Sequence, residues 1–168
     1  MRRLLCLLFL CSSTEALVPL SVCWAEETAR IEPAGIKGSL VICGGGELPQ
    51  ELVEQFLKLA GGNSARLVIV PTASAGADEE EAEKYLAPWR RGKPASLVLL
   101  HTRSRQRADS EAFSNQLREA TGVWFGGGSQ ARISKAYLGT RVEKELYALL
   151  ARGGVVGGTS AGAAIMSR

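Results

Sequence analysis

The chain has 168 residues, 46% of them hydrophobic, with 19 glycines and few aromatic side chains. That length supports one domain with a substantial core, and the sequence has neither the repeats of a solenoid nor the biased tracts of a disordered protein. A formal charge of +3 is too small to point to a nucleic-acid or membrane-surface partner.

The N-terminus reads as an export signal. Arg2-Arg3 gives a positive start, Leu4 to Leu10 an unbroken apolar core, and Ala25 with Cys23 two positions before it a signal-peptidase site. The apolar core is too short to span a bilayer. Residues 1–25 are therefore expected to be a cleaved signal peptide, placing the mature protein outside the cell or in the periplasm, with no membrane contact after cleavage. Leu10 and Val22 stand where a lipoprotein signal needs a small residue, which disfavours lipid attachment at Cys11 or Cys23. Cys6, Cys11 and Cys23 fall inside the signal, so Cys43 is alone in the mature chain and no internal disulfide is expected. It ends an apolar run and is expected to act as a small buried hydrophobe. Residues 26–38 mix Glu, Pro, Gly and Lys without period and read as a linker.

From residue 39 the pattern alternates. Ser39 to Cys43 is a continuous apolar strand opening into Gly44-Gly45-Gly46. Pro49 suits the first turn of a helix carrying Leu52, Val53, Phe56 and Leu57, stopped by Gly61-Gly62-Asn63. Arg66 to Val70 is a second strand. An acidic helix is expected from about Asp78 through Leu86, ending near Pro88. Ser96 to Leu100 is a third strand with His101 at its end. One helix is expected over Asp109 to Ala120, then a short strand Val123 to Phe125 breaking into Gly126-Gly127-Gly128. Helices over Ile133 to Leu138 and Val142 to Leu150, divided by Gly139, precede a fifth strand at Val155-Val156. This alternation predicts an α/β fold, a doubly wound, mostly parallel sheet with helices on both faces.

In such sheets ligands bind beyond the carboxyl ends of the strands. There the sequence places Gly44 to Glu47, Pro71 to Ser74, His101, Gly126 to Gln130, and Thr159-Ser160. The first glycine run lacks the G-x-G-x-x-G spacing and a P-loop lysine, so no nucleotide site is expected. Gly158-x-Ser160-x-Gly162 is the pattern of a nucleophile elbow. A serine on a sharp strand-to-helix bend needs neighbours without bulk two residues either side, and the first amides of the new helix then face charge developing at its hydroxyl. The same glycines would also serve a turn that merely packs a helix close to a strand.

Four segments, ICGGGELP, VIVPTASA, VWFGGGSQ and GVVGGTSAGAAIMS, together resemble the cyanophycinase and peptidase E group of serine peptidases, nearer the cyanophycinase branch. The likeness covers residues 39–168. It implies a flavodoxin-like, class I glutamine-amidotransferase-like domain over that range. It also implies Ser160 as nucleophile, Ala161 with Gly127 or Gly128 as oxyanion donors, and Gln130 as a substrate-shaping residue. Aspartyl peptides of the β-Asp-Arg type, or a cyanophycin-like polymer, are the implied substrates. An arginine-bearing substrate calls for acidic residues at the rim, for which Glu47 and Asp78 to Glu81 are candidates; a solvated charge run is the plainer reading of Glu79 to Glu81. No metal or organic cofactor is expected, and the implied assembly extends to a homodimer.

The group's triad histidine and acid follow the nucleophile in sequence, whereas eight residues follow Ser160 and the only histidine, His101, precedes it. The expectation is an N-terminal piece of a hydrolase, cut after the elbow and without its base, with His101 bonded to nearby backbone rather than acting on Ser160. A binding domain that kept the elbow without the chemistry, and an esterase-like hydrolase, are the competing readings.

Overall fold

The computed structural model describes residues 35–79 and 81–167. The proposed signal peptide, and residues 26–34 of the proposed linker, lie outside that range. Residues 35–38 form neither helix nor strand, and Ser39 N–H is held by the Gly154 carbonyl at 3.0 Å as the first strand begins.

Five strands form one parallel sheet in the order β1-β5-β4-β2-β3. They are β1 (Ser39–Cys43), β2 (Arg66–Val70), β3 (Ser96–Leu99), β4 (Gly122–Phe125) and β5 (Val155–Thr159). Alternation along each strand sorts its side chains onto two faces. Leu67, Ile69, Trp124 and Val155 join a core under α1 (Gln50–Leu59) and α2 (Ala82–Arg90). Val68, Val70, Val123, Phe125 and Val156 join a second core under α3 (Arg105–Ala108), α4 (Glu111–Arg118), α5 (Gln130–Tyr137), α6 (Arg141–Ala151) and α7 (Ala161–Ala164). The doubly wound architecture is as the sequence predicts.

The first core is anchored by three aromatic rings. Phe56 stands edge-on to Trp89 and to Trp124 at centroid distances of 5.3 and 5.2 Å, and the two indoles lie 5.1 Å apart. Each such pair adds about 1 kcal/mol beyond its burial. That anchoring explains one difference from the sequence reading. α2 continues through Pro88 to Arg90, because the next residue, Trp89, is fully buried against Phe56.

Other boundaries move for local reasons. Residues 71–79 are turns, so α2 starts at Ala82 rather than Asp78. The helix expected over 109–120 is α4, and a further short helix that the sequence reading did not expect, α3, precedes it; each has a serine at its start: Ser104 Oγ accepts Arg107 N–H at 3.2 Å, and Ser110 Oγ accepts Phe113 N–H at 3.4 Å. Between them Asp109 turns outward and its carboxylate accepts the Arg141 amide at 2.9 Å, at the first turn of α6. α5 begins at Gln130, three residues before the expected Ile133, and β5 runs on through Gly157 and Gly158 to Thr159. Cys43 is a free, half-buried thiol packed against the first core, less covered than expected.

Candidate active site

Because all five strands are parallel, their carboxyl ends lie on one rim. β5 sits between β1 and β4, so the residue leaving it is flanked by the loops that leave those two strands. Ser160 is that residue. Its φ of 50° and ψ of −112° lie in a region that side chains avoid, and Lys93 is the only other described non-glycine residue with positive φ. Ser160 N–H donates to the Cys43 carbonyl at 3.0 Å, tying the bend to β1, while its own carbonyl accepts Ala164 N–H at 2.9 Å. The side chain is exposed.

The glycines two residues to either side are required by contact. A methyl group on Gly158 would stand 2.4 Å from the Gly162 carbonyl carbon, and one on Gly162 would stand 2.3 Å from the Phe125 carbonyl oxygen. The helix after the bend thus packs directly on the backbones of β5 and β4. Ala161 is the first residue of that helix, so its amide has no acceptor one turn earlier in the helix.

Two glycine runs face the serine. Cβ positions built on Gly45 and on Gly127 each fall 3.5 Å from Ser160 Cβ, so both loops pass beside it without side chains. Gly128 serves a different contact. At φ +135° its α-carbon packs against the neighbouring loop, where an added Cβ would lie 2.2 Å from the Ala73 carbonyl oxygen. Gln130 opens α5 just past this turn and Glu47 follows Gly46; both are exposed. Beneath the bend, the Thr159 hydroxyl oxygen is the one buried side-chain polar atom without a hydrogen-bond partner among the described residues.

His101 lies elsewhere. β3, which it follows, is separated from β5 by β2 and β4. Three strand spacings of about 4.8 Å put it on the order of 14 Å away along the sheet. Its ring is bonded to side chains rather than to backbone as expected: Nε2 lies 2.9 Å from Asp78 Oδ1 and Nδ1 2.9 Å from Thr72 Oγ1. The buried Thr72 hydroxyl also meets Tyr137 Oη at 2.6 Å. An ionised carboxylate only accepts, so Nε2 carries the proton toward Asp78, and in the neutral ring Nδ1 accepts from Thr72, which accepts from Tyr137. Burial pushes the Tyr137 phenol above its ordinary value, opposed by the bond to Thr72.

The second oxygen of Asp78 is taken by Arg103 Nε at 2.8 Å. The bonds from Arg103 and His101 hold its carboxyl below the ordinary 3.8. Each of its oxygens is therefore bonded once within the chain, while the carboxylate stays half exposed at the rim. Glu79 and Glu81 are exposed and Glu80 lies outside the described residues. Sequence reasoning placed Thr72 on the rim without its bond to His101, and missed Arg103 and Tyr137. Only the position of Arg103, two residues beyond His101 at a strand end, hinted at a rim role.

The comparisons with known proteins bear on the family and the fold. The sequence model of peptidase family S51 matches residues 40–168. A cyanophycinase from Nostoc sp. is 30% identical over 142 residues, covering 80% of this chain and 46% of that protein. A cyanophycinase from Geminocystis herdmanii is 27% identical over 135 residues, covering 78% and 49%. Among solved structures, a peptidase from an acI-B1 actinobacterium superposes with a TM-score of 0.60 at 24% identity, over 79% of this chain and 57% of that one. A peptidase E-type protein from Listeria monocytogenes gives 0.52 at 20% identity, over 79% and 62%. These two likenesses concern the fold. The chain spans about half the length of the curated relatives it matches. By its sequence match over residues 40–168, the chain belongs to peptidase family S51.

Proposed function

We propose that this chain carries the nucleophile half of a serine-type peptidase that cleaves aspartyl peptide bonds of the β-Asp-Arg type, as in cyanophycin. The observation that carries the reading is Ser160, strained at the tip of β5 with the bare backbones of Gly45 and Gly127 beside it. Its Oγ attacks the amide carbonyl carbon, the new C–O bond forms, and the hydroxyl proton passes to a base. The oxyanion is received by the Ala161 amide and by one from the Gly127-Gly128 turn. Amides aimed in advance at such a charge are each worth about 3 kcal/mol. Collapse expels the amine with a proton, and water then hydrolyses the acyl-enzyme.

His101 is engaged and distant, so the base and its acid come from a segment beyond these 168 residues. Gln130 and Glu47, exposed on the same rim, contact the substrate, with Glu47 offering a carboxylate to its arginine. The protein acts outside the cytoplasm, after removal of residues 1–25. Homodimerisation belongs to the same proposal.

The test is release of aspartyl-arginine dipeptides from cyanophycin by the in-frame product that extends past Arg168, with Ser160→Ala as control. The expected loss in the variant is at least about a thousandfold. An unchanged rate would end the nucleophile assignment. Cleavage of simple acyl esters with no action on the polymer would favour an esterase. Retention of the polymer without turnover would favour a binding domain.

A further inference from the structure

The loop after β2 links the His101 cluster to the glycine turn beside Ser160. From β3, the Arg103 guanidinium reaches across β2's exit. It donates to the Thr72 carbonyl, to the Ser74 carbonyl at 2.7 Å and to the Ala75 carbonyl at 3.5 Å, while Nε is held by Asp78. One guanidinium thus gathers three carbonyls of a loop that has no helix or strand of its own. The intervening carbonyl, Ala73, points the other way. It accepts Ser129 N–H at 2.9 Å and Arg132 Nη1 at 3.0 Å, and it is the atom against which Gly128 is packed.

We propose that Arg103, seated by Asp78, whose other oxygen His101 holds, is a positioning residue for the Gly126–Gly128 turn. It sets the Ala73 carbonyl, which sets Ser129 and Gly128, and with them the amides that face Ser160. The catalytic part of this proposal rests on the reading of Ser160 given above. Lysine cannot replace Arg103, because a single ammonium cannot serve a carboxylate and separated carbonyls with a planar fork.

Two measurements test it. In Arg103→Met, the Ser129 amide is expected to exchange with solvent about tenfold faster or more, while amides of β1 and β5 keep their protection. Arg103→Lys falls between Met and wild type, and Asp78→Asn gives a smaller change of the same pattern should Arg103→Met fold poorly. Unchanged Ser129 exchange, or a uniform rise over the whole sheet, overturns the proposal. In the extended, active product, Arg103→Met is expected to lower kcat about tenfold with KM within about twofold, since a small misplacement of donors acts on the transition state. A rise in KM alone overturns the positioning role. If Ser160→Ala leaves the rate unchanged, the nucleophile reading is what fails, and the exchange measurement then decides whether Arg103 sets the turn.

Discussion

Ser160 and Asp78 show how single residues on this rim are constrained. Ser160 is held in strained backbone, worth about 1–3 kcal/mol, by hydrogen bonds to β1 and into α7. Asp78 is held by charge. Because Arg103 and His101 depress its proton affinity in the folded chain, the unfolded chain takes up the proton first as pH falls. The stabilisation from Asp78 is therefore fully present above its ordinary value and is lost as pH drops through the lowered one. The expected outcome is that wild type is more stable than Asp78→Asn near neutrality, and that the gap narrows below about pH 4. Denaturant melts across the acid range measure this, and a pH-independent gap would show that the carboxylate's charge is not its source.

The bend between β5 and α7 depends on contact between whole elements. Gly158 and Gly162 let a helix backbone touch two strand backbones, and the nearest atoms there are backbone and the Phe125 β-carbon, none of which can swing aside. Gly162→Ala pushes a methyl group into the Phe125 carbonyl, a backbone atom of the central strand β4. The expected cost is about 2–3 kcal/mol of unfolding free energy, in the upper range for overpacking. Gly44→Ala, with nothing within 4 Å of the added methyl, is the control expected to stay near neutral. Equal effects from the two would mean that α7 lifts off the sheet at little cost. The aromatic trio works at the same scale on the opposite face, where burial of Trp89 carries α2 past a proline.

For the molecule as a whole, the sheet ends unevenly. Among the described residues β1 pairs with β5 on one side only, and its Leu40 and Ile42 are 42% and 64% exposed on the face opposite α1. A parallel sheet is ordinarily covered on both faces, and an apolar strand with an open edge recruits other chains. The 168-residue chain is expected to self-associate as its concentration rises, and Ile42→Lys to suppress this in size-exclusion or sedimentation runs. A monomer at every concentration would show that the edge is protected by some other means.

Much of this was legible in the sequence because it is written in local periodicities. Apolar runs of strand length alternating with helical spacing determined the parallel sheet, and glycines flanking Ser160 determined a cramped bend, since both follow from steric rules within a few residues. The start of α2 and the break at Asp109 were not legible, because distant partners decide them: Arg103 holds the loop before one, and the start of α6 takes the carboxylate of the other. Likewise no spacing revealed that Asp78 is bonded to Arg103 and His101, or that Gly127 rather than Gly128 lies against Ser160. Strand order alone put β3 three places from β5 and brought β1 and β4 to either side of it. That order arises from which faces can be buried together, a property of the folded sheet that adjacent residues do not encode.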